Sequence, residues 1–223
     1  MEGYIHILVY VHAIFGGLAL LSGLVSIIAK KGGQAHKRFG LIFYYTMIIS
    51  GVTAMFVATL PDHENLFLFS VGIFSLYFVL TGRRALKFKY NNPNLKIDYL
   101  ISSIMLITGL SMLIIPVILT RSIHIVISIF AIVEIAFSIG DFLNYRKPEK
   151  IKQNWLKIHL GKMLGGYIAA TTAFVVVNQF FPSFYGWFIP GIIGGIVITF
   201  WSRKINPKKK HLEYDDKRQN TRR

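Results

Sequence analysis

The sequence predicts an all-helical fold, a polytopic transmembrane bundle of seven spans, and three observations carry that expectation. Apolar residues make up 53% of the 223-residue chain and arrive in runs of roughly twenty, the length that crosses a ~30 Å hydrocarbon core as a helix. Basic residues crowd into alternate connections between those runs. The remaining connections are short turns, with no room for a separate domain.

The runs place spans at residues 4–29, 39–60, 66–86, 97–119, 122–143, 159–181 and 187–202. The opening stretch MEGYIHILVY lacks a basic n-region, and the apolar run behind it outlasts a signal peptide, so it is read as the first span. The first connection carries Lys30, Lys31, Lys37 and Arg38, and the third Arg83, Arg84, Lys87, Lys89 and Lys96. The fifth carries Arg146, Lys147, Lys150, Lys152, Lys157 and Lys162, with more from Arg203 onward. Of the 25 lysines and arginines, Arg121 alone falls on the other side. The positive-inside rule then places the N-terminus outside and the C-terminus in the cytoplasm, as a multi-pass protein of the cytoplasmic (inner) membrane. The outer turns, 61–65, 120–121 and 182–186, force consecutive spans to be neighbours. The inner connections show turn chemistry at Asn91-Asn92-Pro93-Asn94 and Lys147-Pro148. Two segments result, a membrane domain over 1–203 and a basic tail over 204–223. The tail is expected to be disordered and to lie against anionic lipid headgroups, at about 1 kcal/mol per basic residue near the surface.

The formal net charge of +15 belongs to this topology signal, and its distribution argues against nucleic acid as a partner. The absence of cysteine excludes disulfides, thiolate metal sites and iron–sulfur clusters. Small residues four apart, Gly161, Gly165, Ala169 and Ala173, with Ala13/Gly17 and Ala19/Gly23, predict close helix contact inside the bundle. A homodimer interface is the alternative use of such faces.

Polar groups inside a span cost a few kcal/mol when charged, so each asks for a reason. In the fifth span His124, Ser128, Glu134, Ser138 and Asp141 share a little under half of the helix circumference. That stripe should face the interior, as a hydrogen-bond network, a proton path or the wall of a polar ligand cavity. Thr171 and Asn178 share a face of the sixth span, and Asn178 is expected to bond a neighbouring helix.

The histidines sort by depth. His12 lies roughly 12 Å along the first span at 1.5 Å per residue, and His124 opens the fifth near the same surface. His36 and His159 open the second and sixth spans at the opposite surface. Two bis-histidine levels are the arrangement by which helical bundles hold b-type haem. Gly16, Gly17, Gly40, Gly165 and Gly166 would leave space for a flat macrocycle. A zinc site could draw on His12, His124 and Glu134, although no H-E-x-x-H pair supports it. The seventh span holds no lysine, which excludes a retinal Schiff base there, and neither a phosphate-binding glycine loop nor a nucleophile elbow occurs.

At HAIFGG and HKRFG the sequence resembles a family of bacterial multi-spanning membrane proteins known as a domain of unknown function. The shared residues are His12, Gly16, His36, Lys37 and Gly40, and WLKIHLGKMLGGYIAATTAF extends the likeness through His159 and Met163. The resemblance implies a bacterial inner-membrane protein and no particular activity. The leading functional expectation is a ligand- or cofactor-binding membrane protein, with haem b held by His12, His36, His124 and His159. The alternatives are a small proton-coupled transporter using Glu134 and Asp141, and a membrane-embedded metal-dependent hydrolase.

Overall fold

The structure is a computed structural model that describes residues 2–90 and 93–205. Beyond its first two residues, the segment expected to form a disordered tail lies outside the described residues, as do Asn91 and Asn92. Seven α-helices account for most of the rest: α1 (Glu2–Ile28), α2 (Gln34–Val57), α3 (Leu66–Arg84), α4 (Lys96–Thr120), α5 (Ile125–Tyr145), α6 (Pro148–Val177) and α7 (Tyr185–Lys204). A single 3-10 turn, Ala85–Lys87, extends α3. All seven helices are long and apolar enough to cross a membrane.

Local chemistry explains the ends. Asn65 caps α3 by accepting from the Leu68 amide at 3.0 Å, satisfying one orphan donor of the first turn. Pro148 opens α6, where its missing N–H costs nothing. Asp98 and Glu149 sit in the first turns of α4 and α6, and Arg83/Arg84 and Arg203/Lys204 in the last turns of α3 and α7. Each charge opposes the local helix dipole. At the basic end, the Lys31 ammonium folds back onto the Ile27 carbonyl and lies 5.0 Å from the Trp201 ring centroid. Partial burial there lowers its pKa.

Two expected boundaries move. α2 starts at Gln34 rather than residue 39, so His36, Lys37 and Arg38 are helical, not loop residues. α6 starts at Pro148 rather than residue 159. Lys157 and Lys162 therefore belong to a helix, and Lys162, counted above with a basic turn, is a buried residue at 7% exposure. At 30 residues, α6 is roughly 45 Å long, longer than a bilayer core. Asn178 also departs from expectation: its amide donates to the Phe174 carbonyl of its own helix at 2.8 Å, closing the last turn.

α3 is the axis of the bundle, packed by α2, α4 and α6, while α1 lies along α2 and α7 along α6. One core cluster joins Phe74, Tyr77 and Phe78 of α3 to Met105 of α4 and Ala169 of α6. A second joins Ala19, Phe43 and Met47 to Val79. Of the small-residue ribbon of α6, Gly165 and Ala169 pack inside the bundle, while a methyl at Gly161 would meet nothing within 4 Å and Ala173 is half-buried. A methyl group added at Gly165 would lie 2.6 Å from the Phe78 ring, and one at Gly166 would lie 2.8 Å from Val79. By contrast α5 is held along α4 and meets α6 only sparsely, which leaves a gap between α5 and the α6–α7 pair.

Gly165→Ala should overpack this centre and lower unfolding stability in detergent by about 1–3 kcal/mol. Gly17→Ala, whose added methyl meets nothing within 4 Å, should instead raise stability slightly, by up to about 1 kcal/mol.

Candidate functional site

α5 turns Ala131, Glu134, Ser138, Asp141 and Tyr145 inward on one stripe, the 3.6-residue period of a helix with one buried face. Asp141 is the junction of that stripe with three other helices. Its Oδ2 accepts from the Tyr77 hydroxyl of α3 at 2.5 Å, from the Lys162 ammonium of α6 at 2.8 Å and from the Ser102 hydroxyl of α4 at 3.1 Å. Lys162 donates to the Tyr77 oxygen as well, and its Nζ stands 4.1 Å from the Tyr77 ring centroid. The Tyr145 hydroxyl lies 3.4 Å from Ser102 and completes the cluster. A buried charge is tolerable only when paired and hydrogen-bonded, and both conditions are met here. The three hydrogen bonds from Tyr77, Lys162 and Ser102 all converge on Oδ2.

A second ion pair sits at the basic end. Arg84 grips the fully buried Asp98 with two parallel bonds, Nε to Oδ1 at 2.7 Å and Nη2 to Oδ2 at 2.6 Å, and Nη2 also reaches the Asn94 carbonyl at 3.1 Å. This fork ties the end of α3 to the start of α4, and its geometry is that of an orienting clamp.

Glu134 is a different case. It is fully buried, and among the described residues neither carboxyl oxygen has a hydrogen-bond partner. It packs on Gly109 of α4, where an added methyl would lie 3.0 Å from the Glu134 Cβ.

The gap beside α5 is a cleft of about 760 Å³, walled by α3, α5, α6 and α7. That volume falls within the roughly 300–1,000 Å³ of small-molecule sites. Its wall is mostly apolar and includes the aromatic side chains of Phe74, Phe78, Phe130, Phe137, Trp187 and Phe188. Polar groups appear where Asp141 and Lys162 face it, and towards the basic end where Asn144 and Lys157 join them. The cleft thus has an apolar length and one polar foot.

The four histidines proposed as ligands are dispersed differently. His124 is exposed just ahead of α5, its Nε2 3.1 Å from the Ser122 hydroxyl. His12 faces α2 instead, its Nδ1 3.0 Å from the Ser50 carbonyl and 3.1 Å from the Ser50 hydroxyl. His36 repeats the arrangement against α1, with Nδ1 2.9 Å from the Ser26 carbonyl and 3.1 Å from the Ser26 hydroxyl. His159 places Nδ1 2.7 Å from the Gly82 carbonyl, within electrostatic range of His36 and Arg83. Donation from Nδ1 to these carbonyls assigns the lone pair of each ring to Nε2. The glycines read as space for a macrocycle are mostly occupied by protein. A methyl at Gly16 would lie 3.3 Å from the Ser50 hydroxyl, one at Gly40 3.2 Å from that of Ser26, and Gly165 and Gly166 meet Phe78 and Val79. Among the described residues, no group of three or more His, Cys, Asp or Glu side chains is placed to hold a metal ion.

Of the polar stripe expected on α5, Glu134, Ser138 and Asp141 are buried and Ser128 is half-buried, whereas His124 precedes the helix and is exposed. Lys162, Tyr77, Ser102 and Tyr145 were not foreseen from spacing. The signal for Lys162 was available: it stands between Leu160 and Leu164 inside an apolar run. Comparison with family models, curated proteins and solved structures finds no match, so the site is read from its own geometry.

Asp141→Asn should strand the Lys162 ammonium and cost about 3–5 kcal/mol of stability, the usual penalty for breaking a buried pair. The double change Asp141→Asn with Lys162→Met should recover much of that loss. Equilibrium unfolding in detergent measures both.

Proposed function

We propose that this is a multi-pass membrane protein that takes a hydrophobic, chain-bearing ligand from the bilayer into the cleft between α5 and the α6–α7 pair. One observation carries the reading: an apolar, aromatic cleft of about 760 Å³ ends on a buried Asp141–Lys162 pair. Ligand sites combine an apolar wall with a few fixed polar groups in this way, and a charged pair inside a span is by default a functional feature. Asp141 and Lys162 border the cleft, while the bonds to Asp141 Oδ2 keep the fold in register. The same carboxylate touches the inner network and the cleft, so a carrier coupled to proton movement through Asp141 is compatible with this reading.

The topology belongs to the proposal. Basic connections on one side support an outside N-terminus and cytoplasmic placement of residues 30–33 and 88–95. The chain lacks cysteine, so single cysteines report cleanly. His63→Cys should label with an impermeant maleimide from outside intact cells, and Gly32→Cys only after lysis. Labelling of both from one side would refute the arrangement.

Trp187 lines the cleft, which supplies a direct test of binding. With Trp155 and Trp201 replaced by Phe, a bromine-labelled hydrocarbon chain should quench Trp187 saturably, and an unlabelled chain should reverse it. Quenching that merely tracks bulk lipid content would overturn the reading.

A second reading draws on the locked imidazoles. Nδ1 bonds at His36 and His159 are the support that a ligating histidine needs on its other nitrogen. If these two hold haem, protein produced with ample haem should show a Soret band that is lost in His36→Ala. Colourless protein removes that reading.

A further inference from the structure

Two groups of helical glycines differ in what stands beside them. At Gly23, Gly51, Gly72, Gly82, Gly165 and Gly194 an added methyl would collide with a neighbouring side chain, so packing requires the glycine. At Gly140 of α5, Gly161 of α6, and Gly191 and Gly195 of α7 it would meet nothing within 4 Å. Glycine inside a helix costs about 1 kcal/mol relative to alanine, and here no protein atom needs the space. All four line the same cleft, on three different helices. Glycines on three helices thus leave the cleft wide, where larger side chains would narrow it.

Its polar foot has a definite sign. Asp141 and Lys162 neutralise each other. Lys157, half-buried on the rim of the cleft, forms no hydrogen bond or ion pair among the described residues. Asn144 of α5 also lines the cleft and carries amide donors. The foot therefore carries one uncompensated positive charge beside an amide, at the end of the chain that the basic turns mark. From Lys157 to Ala173 the α6 wall runs roughly 24 Å, most of a hydrocarbon core.

We infer that the occupant is an anionic amphiphile. Its carboxylate or phosphate sits at the basic end against Lys157 and Asn144, and one hydrocarbon chain runs over Gly161, Gly140 and Gly195 towards Trp187. This deepens the cleft-binding reading above and rests on it. A free long-chain carboxylate and an anionic phospholipid share that chemistry.

The test displaces the bromine-labelled chain from Trp187 with three probes in neutral-lipid nanodiscs: hexadecanoate, hexadecanol and phosphatidylglycerol. Hexadecanoate should compete about tenfold better than hexadecanol, the scale of one charge-assisted hydrogen bond. Lys157→Gln should erase that difference and Lys157→Arg should retain it. Gly161→Leu and Gly195→Leu should abolish binding of every probe while the thermal midpoint holds. Phosphatidylglycerol competing as well as hexadecanoate identifies a phospholipid as the source, and hexadecanoate alone identifies a free fatty acid. Equal competition by hexadecanol and hexadecanoate overturns the anionic assignment and leaves the cleft reading standing. If the labelled chain never binds saturably, the cleft reading falls, and this inference with it.

Discussion

The arrangement of this bundle depends on burying one lysine and one aspartate together. Taking two such charges out of water costs several kcal/mol per ion after relaxation, and Coulomb attraction repays it only with good geometry and further hydrogen bonds. Those bonds come from α3, α4 and α6 to a single oxygen of α5. Four helices are thereby fixed in rotation and depth at once, because a helix turned by one residue would swing its donor away by about 100°. Other features follow. With Asp141 inward, Glu134 two turns away on the same stripe must be inward too, and Gly109 is the residue that lets it fit against α4. Tyr145, joined to the cluster through Ser102, brings with it the aromatic packing of the basic end.

Much of the architecture was legible because membrane-type sequences advertise it. Run length announces the helices, and the confinement of cations announces their alternation. The inward stripe of α5 followed from periodicity, since Glu134, Ser138 and Asp141 could share a face only by facing other helices. The partners were not legible for a physical reason. Which donor meets Asp141 depends on the depth of α6 against α3, and a basic residue early in a helix reads the same whether it ends a loop or plugs a core. Lys162 was assigned to a turn on that ambiguity. Position along a helix says nothing about azimuth, and His12 and His124 face different neighbours.

One regularity became visible only when helices were placed side by side. His12, Gly16 and Ser26 of α1 are spaced as His36, Gly40 and Ser50 of α2, and Phe15 and Phe39 precede the two glycines. In the antiparallel pair each histidine bonds the other helix's serine, and each serine sits beside the other helix's glycine. The hairpin is therefore stapled at both ends by one motif used twice, with approximate two-fold symmetry. This gives the two H-x-x-F-G segments a structural role in joining α1 to α2, and it explains why the glycine must follow the histidine by one turn: it makes room for the opposing serine.

The cleft beside α5 follows from the same ion pair. In water an apolar gap of this size would tend to close, since burial of its walls is favourable. In a bilayer that drive is absent, because a hydrocarbon chain is as good a neighbour as a leucine. Asp141 and Lys162 bridge α5 and α6 through the full length of their side chains, and that bridge spaces the two helices apart along the foot of the gap. Once spaced, the helices gain nothing by collapsing further, and glycines on α5, α6 and α7 keep the opening clear. Apolar contact in such a cleft is then nearly neutral between one chain and another. Under the proposed function, selectivity comes from the polar foot, where Lys157, Asn144 and the Asp141–Lys162 pair are the polar groups at the cleft.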